Sequence, residues 1–158
     1  MGRVKSDKFK TRGYRAWENM KARCYIPSKN GYERYGGRDN PITVFKAWLD
    51  NPAAYIEYIS SLENAFENGY SIDRIDNDGN YEPGNLRWAT KEIQMRNRGI
   101  SKNNTSGAKG VCFNKRLKKW VVSLTANGHR YHLGYFSDKE SAVQARAMAE
   151  DKHWGQSA

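Results

Sequence analysis

The residue types best suited to chemistry lie together in one polar segment, SIDRIDNDGNYEPGNLRWATKEIQMRNRG, residues 71–99. Asp73 closes a short apolar-alternating run and offers a hard oxygen. Hydrolysis of a phosphodiester needs a hard cation on the scissile phosphate, and Mg²⁺ or Mn²⁺ is held by one or two oxygen ligands that leave positions for substrate and water. The neighbouring Arg74 is suited either to grip a phosphate or to form a structural ion pair. Asp76, Asn77, Asp78 and Gly79 are usual turn formers. A calcium loop is excluded: setting Gly79 as its sixth position puts Arg74 first and Asn85 twelfth, where carboxylates are required. Zinc held by thiolates is not expected either, because Cys24 and Cys112 are far apart and form no CxxC pair.

These residues need a scaffold, and the local patterns predict an α+β chain. Up to about Tyr70 the spacing is helical: Trp17, Met20 and Cys24 recur every three or four residues, and TVFKAWL and AYIEYISSL repeat the pattern. Asn51 before Pro52 reads as a helix cap with proline in the first turn. The segment at 71–99 reads as strand, turn, strand and helix, with Leu86 and Trp88 in the core and Thr90 as the helix cap. After a polar linker at 100–104, KGVCFNK, KWVVSLTA and HRYHLGYF read as strands, the last two joined by Asn127-Gly128. Ser137 and Glu140 have capping-box spacing before an alanine-rich helix. The expected organisation is a domain over 1–99 and a second over 105–158, the latter a three-stranded antiparallel sheet packed on one helix.

Charge points to a polyanion. The 158 residues contain 27 Lys and Arg against 17 Asp and Glu, a net +10. From Ser101 onward ten basic and four acidic residues leave +6, and Ser101 to Ser137 contains seven Lys or Arg and no acid. A merely solvated sheet would mix signs, so this one is expected to meet phosphate. No apolar run is long enough to span a bilayer and the N-terminus lacks an apolar signal core. A soluble, intracellular protein without a membrane partner is therefore expected.

The middle segment resembles the ββα-metal core of HNH endonucleases, in a branch with phage-encoded members. The residues that carry the likeness are IDRIDNDGNYEPGNLRWAT, with RAWENMKARCY and YGGR upstream, covering roughly Tyr14 to Gly99. The resemblance implies a DNA endonuclease acting in a bacterial host, with Asp73 as one ligand of Mg²⁺ or Mn²⁺. The second ligand lies nine residues after the turn asparagine; from Asn85 that count reaches Gln94, with Asn97 one helical turn later as the alternative. Asn85, counted with Arg74 and Tyr81 in the catalytic set that the resemblance implies, also ties the turn across the family. Where the family usually places the water-activating histidine, this chain has Arg74, and its only histidines, His129, His132 and His153, lie outside the motif. Relatives with the same Asp-Arg pair place a tyrosine eight residues on, here Tyr81, as a base whose pKa Arg74 or the metal would have to lower. The missing histidine also supports a competing reading, a DNA-binding protein derived from an inactive HNH nuclease.

The third stretch resembles the APETALA2-type DNA-binding domain, on TSGAKGV, KWVVSL and HLGYFSDKESAVQA, about Asn104 to Glu150. There the sheet enters the major groove. Carried over by position, Lys109, Cys112, Asn114, Arg116, Ser123, Thr125, Arg130 and His132 face double-stranded DNA, while Val111, Phe113, Val122, Leu124, Tyr131 and Leu133 pack on the helix. Arg38 and Lys118 are read as further DNA contacts. Whether the protein forms a homodimer is left open by the sequence.

Overall fold

A computed structural model describes residues 3–101 and 103–155, with side chains in the first helix from residue 11 onward. The chain divides into two compact units between Arg98 and Gly99. It is mixed α+β, with one two-stranded and one three-stranded antiparallel sheet. Among the described residues no helix is long and apolar enough to cross a membrane.

In the first unit, α1 (Arg3–Tyr25) is followed by a loop, then α2 (Lys46–Leu49) and α3 (Pro52–Ser61). Asn51 caps α3 by accepting from the Ala54 amide at 3.1 Å, with Pro52 in the first turn. The core gathers Met20 and Cys24 from α1, Ile42, Val44 and Trp48 from the following segment, and Tyr55 and Ile59 from α3. Two indoles in this unit bury their apolar rings and keep a partner for their N–H. Trp17 donates to the Trp48 carbonyl at 2.5 Å, and Trp88 to the Ile59 carbonyl at 2.7 Å.

On this core sit β1 (Tyr70–Arg74), β2 (Leu86–Thr90) and α4 (Lys91–Asn97). The strands pair antiparallel with Asp73 opposite Arg87 and Ile72 opposite Trp88. Thr90 caps α4, its hydroxyl accepting from the Ile93 amide at 3.3 Å. The strand, turn, strand, helix order expected from the sequence is thus present.

The second unit orders β3 (Val111–Asn114), β4 (Lys119–Ala126) and β5 (His129–Phe136) side by side, with α5 (Lys139–Trp154) on one face. Asn127 and Gly128 both have positive φ, 52° and 76°, as a two-residue primed hairpin turn requires. One sequence expectation shifts by a residue: the cap of α5 is Asp138 rather than Ser137, because Asp138 accepts from the Ser141 amide at 2.7 Å. Before β3, Asn104 binds Ala108, Ser106 and Gly107.

Candidate functional site

The turn between β1 and β2 is organised by Asn85. Its side-chain oxygen accepts from the Asp76 amide at 2.8 Å, and its nitrogen donates to the Asp76 and Asn80 carbonyls at 3.2 and 2.8 Å. With both side-chain polar atoms in use, Asn85 ties the turn together. Gly79 is needed beside it, because a Cβ there would come within 2.6 Å of the Asn85 amide nitrogen. Asp76 accepts from the Asp78 amide at 2.9 Å, and Asp78 pairs with Arg38 at 2.7 Å. Arg38, expected to reach DNA, is therefore tied to the turn.

Arg74 is turned inward. It is only 7% exposed. Its guanidinium donates to the Gly79 carbonyl at 2.6 Å and lies over the Tyr35 and Tyr81 rings, 5.0 and 5.1 Å from their centroids. Those two rings stack on each other, with centroids 6.3 Å apart, and a planar cation set against such a pair is well held without water, so Arg74 braces the turn from inside.

Tyr81 is the other inside face of that brace, and the structure argues against its use as a base. Its backbone joins the Val44 segment, donating to the Thr43 carbonyl and accepting from the Phe45 amide at 2.9 and 2.7 Å. Its side chain is 5% exposed. Burial, then the neighbouring Tyr35, pushes the phenol up to about 12, and the nearby Arg23 and Arg74 only partly offset this. Burial thus favours the protonated phenol at neutral pH. Tyr81→Phe should accordingly leave any cleavage at neutral pH within about threefold of wild type, at a stability cost of about 1 kcal/mol for the lost hydroxyl and its hydrogen bond with Arg23. The sign of the alkaline effect follows from a folded pKa above the unfolded value of about 10. Stability is full below about pH 10 and is lost as pH rises towards 12 in wild type, and denaturant melts of the Phe variant should lack that share. A fall in cleavage of about 10²- to 10⁴-fold would return Tyr81 to the chemistry.

What the fold does bring together is Asp73 with α4. Asn97 donates to Asp73 Oδ2 at 3.2 Å and to the Arg74 carbonyl at 2.6 Å. Gln94, one turn earlier, sits over Ser71, donating to its hydroxyl at 2.7 Å and to the Ala89 carbonyl at 3.0 Å. Ser71 and Asp73 share a face of β1 by strand alternation. The helix residue that meets Asp73 is thus Asn97, with Gln94 beside it. Because both amide nitrogens face acceptors, both amide oxygens are left for other partners.

Sequence reasoning missed Arg87. It stands opposite Asp73 and donates to Oδ2 through Nε and Nη2 at 3.2 and 3.1 Å. The turn alone, which fixes the register of β1 on β2, would have identified this partner.

In the second unit the sheet has one covered face. Val111, Val122, Leu124 and Ala126 are buried with Ala142 and Ala149 of α5. Cross-strand partners share a face, so the open side carries Cys112, Val121 and Tyr135 as one row, Ser123 with His132 as the next, and Thr125 with Arg130 as the last. Arg116 and Lys118 are exposed in the β3–β4 turn, whereas Lys109 is half-buried before β3. Asn114 is partly diverted from DNA, its side-chain oxygen accepting from the Arg116 and Leu117 amides at 3.0 Å each. Phe113 lies on the helix side as expected but is not covered: it is 44% exposed, with its ring in edge contact with Trp120 at 5.2 Å. Strict alternation along β5 places Tyr135 inward with Tyr131 and Leu133. A bulge opposite Val122 and Ser123 reverses the phase, and Tyr135 emerges on the open face, 52% exposed.

No family model and no solved structure matches the chain. Over 89 residues it is 32% identical to "Protein 3.8" of Escherichia phage T7, a match spanning 56% of this chain and 74% of that protein.

Proposed function

We propose that this chain, which belongs to the family of Protein 3.8 of Escherichia phage T7, is a divalent-metal-dependent DNA endonuclease of HNH type with an appended DNA-binding sheet domain of APETALA2 type. The observation that carries the reading is the meeting of Asp73 on β1 with Asn97 on α4, which gathers a carboxylate and two amide side chains on one side of a two-stranded ribbon. That donor set suits Mg²⁺ or Mn²⁺. The hydrogen bonds accepted by Asp73 fall on Oδ2, which leaves Oδ1 without one, and the amide oxygens of Asn97 and Gln94 are the further oxygens that α4 would offer an ion. A sparse all-oxygen set is what Mg²⁺ uses when waters and substrate phosphate complete its shell. The ion would supply neutralisation of charge developing on the phosphate.

The chain's own residues then divide the remaining work. Asp73, Asn97 and Gln94 hold the position, Arg87 is the guanidinium placed to meet phosphate, and Arg74 with Tyr35 and Tyr81 keeps the turn rigid from below. The open face of the second unit and its β3–β4 turn, with Arg116, Lys118, Lys119 and Arg130 exposed and no acidic residue between Ser101 and Ser137, support binding to duplex DNA. The competing reading, a DNA-binding protein that does not cleave, is favoured by one observation, the neutralisation of Asp73 by Arg87.

A plasmid-nicking assay separates the two. Relaxed or linear product is expected with Mg²⁺ or Mn²⁺ and none in EDTA, since no side chain of the turn is placed to replace the ion. Cleavage undiminished by EDTA would end the metal-dependent reading, and binding without cleavage under any ion would establish the other.

A further inference from the structure

Asp73 is held by a guanidinium from the opposite strand. Arg87 reaches Oδ2 with two nitrogens, at 3.2 and 3.1 Å, while Asn97 donates to the same oxygen at 3.2 Å. Among the described residues no three His, Cys, Asp or Glu side chains cluster to compensate for that pairing. A divalent cation approaching Asp73 therefore meets a carboxylate already neutralised, with a positive charge a few ångströms away. The Asp73 side chain is 13% exposed and that of Arg87 36%, so water screens this repulsion only partly.

The two arginines at the turn differ in freedom. Arg74 is enclosed by Tyr35, Tyr81 and the Gly79 carbonyl. Arg87 is the more open, and among the described residues its side chain bonds to one carboxylate oxygen. A phosphodiester presents the same two-oxygen fork that a guanidinium grips, so it competes with Asp73 for Arg87 on equal chemical terms.

We infer that Arg87 is a latch that makes cation binding at Asp73 conditional on a nucleic-acid phosphate. Without DNA it neutralises Asp73. A phosphate drawn to the site takes over the guanidinium, frees Oδ2 and adds its own negative charge, so that the ion is captured with the substrate. The inference rests on the metal-dependent reading above and assigns Arg87 a positioning role within it.

The test is Mn²⁺ binding to the DNA-free full chain, read from the electron paramagnetic resonance signal of unbound Mn²⁺, with no cleavage involved. Arg87→Gln is expected to bind Mn²⁺ at least about tenfold more tightly than wild type. Arg87→Lys keeps the charge and should stay within about threefold. Adding Asp73→Asn to the Gln variant should return affinity to the wild-type level or below. Arg87→Met repeats the comparison should the Gln variant fail to fold. Wild type mixed with duplex DNA should hold more Mn²⁺ than Asp73→Asn with the same duplex. If neither neutral variant tightens binding while Asp73→Asn abolishes it, the latch is overturned and the metal site stands. If Asp73→Asn changes no arm, the metal reading falls and takes the latch with it.

Discussion

Asp73→Ala should lower metal-dependent cleavage of duplex DNA by about 10³-fold or more while leaving DNA affinity within a few-fold of wild type. The expectation follows from where Asp73 sits. Its carboxylate is the anionic donor at the meeting of β1 and α4, and the partners it would leave behind, Arg87 and Asn97, are partly exposed and can turn to water. The structural penalty is therefore small. Loss of a partly exposed ion pair costs about 1 kcal/mol or less, and Ile72 and Trp88 keep the β1–β2 ribbon packed on the core. Nicking assays with Mg²⁺, run beside gel-shift titrations on the same duplex, separate chemistry from binding. Parallel losses in both measurements would identify Asp73 as a structural residue and remove the centre of the proposed site.

The second large effect is expected on the other unit. Replacing Arg116, Lys118, Lys119 and Arg130 together by glutamine should weaken duplex binding at physiological salt by roughly 10²- to 10³-fold. The logarithmic salt dependence should flatten by about 0.9 for each lost phosphate contact, so by three to four in all. All four positions are exposed, and none lies among the buried residues under α5, so thermal melts should hardly move. Arg130 is the one with a second attachment, a 3.4 Å contact to the Ser123 hydroxyl, too long to matter much for folding. An unchanged salt slope would show that this sheet does not touch phosphate. A flattened slope with intact site preference would assign the four to positioning and leave base reading to the central rows, where Val121, Tyr135 and His132 stand.

Elements whose stability is decided within a few residues were legible from sequence. Asn51 with Pro52, Thr90 at the start of α4, and Asn127-Gly128 between β4 and β5 act through local hydrogen bonds and φ preferences. The strand–turn–strand–helix order at 71–99 and the sheet with one helix are built from such pieces, and their alternation of apolar and polar residues is visible in the chain itself. The role of Asn85 as the tie of the turn also belongs here, since its partners, Asp76 and Asn80, lie within nine residues.

The candidate site was legible only in part, because its decisive contacts join distant segments. Arg74 looks like a phosphate ligand until Tyr35, from a loop far upstream, closes over it with Tyr81. Tyr81 looks like a base until the segment at Thr43 and Phe45 buries its backbone and ring together, and burial raises a phenol's pKa. A count along the chain selects Gln94, yet the way α4 lies on β1 brings Asn97 to Asp73 and Gln94 to Ser71. Tyr135 reaches the open face through a bulge in β5, which leaves no mark in a period-two pattern. The amino-acid sequence by itself determined which local elements form and that one face would be basic. Tertiary packing decided which polar groups are enclosed and which stay open to a ligand, because burial and cross-strand pairing are properties of neighbours that local preferences do not specify.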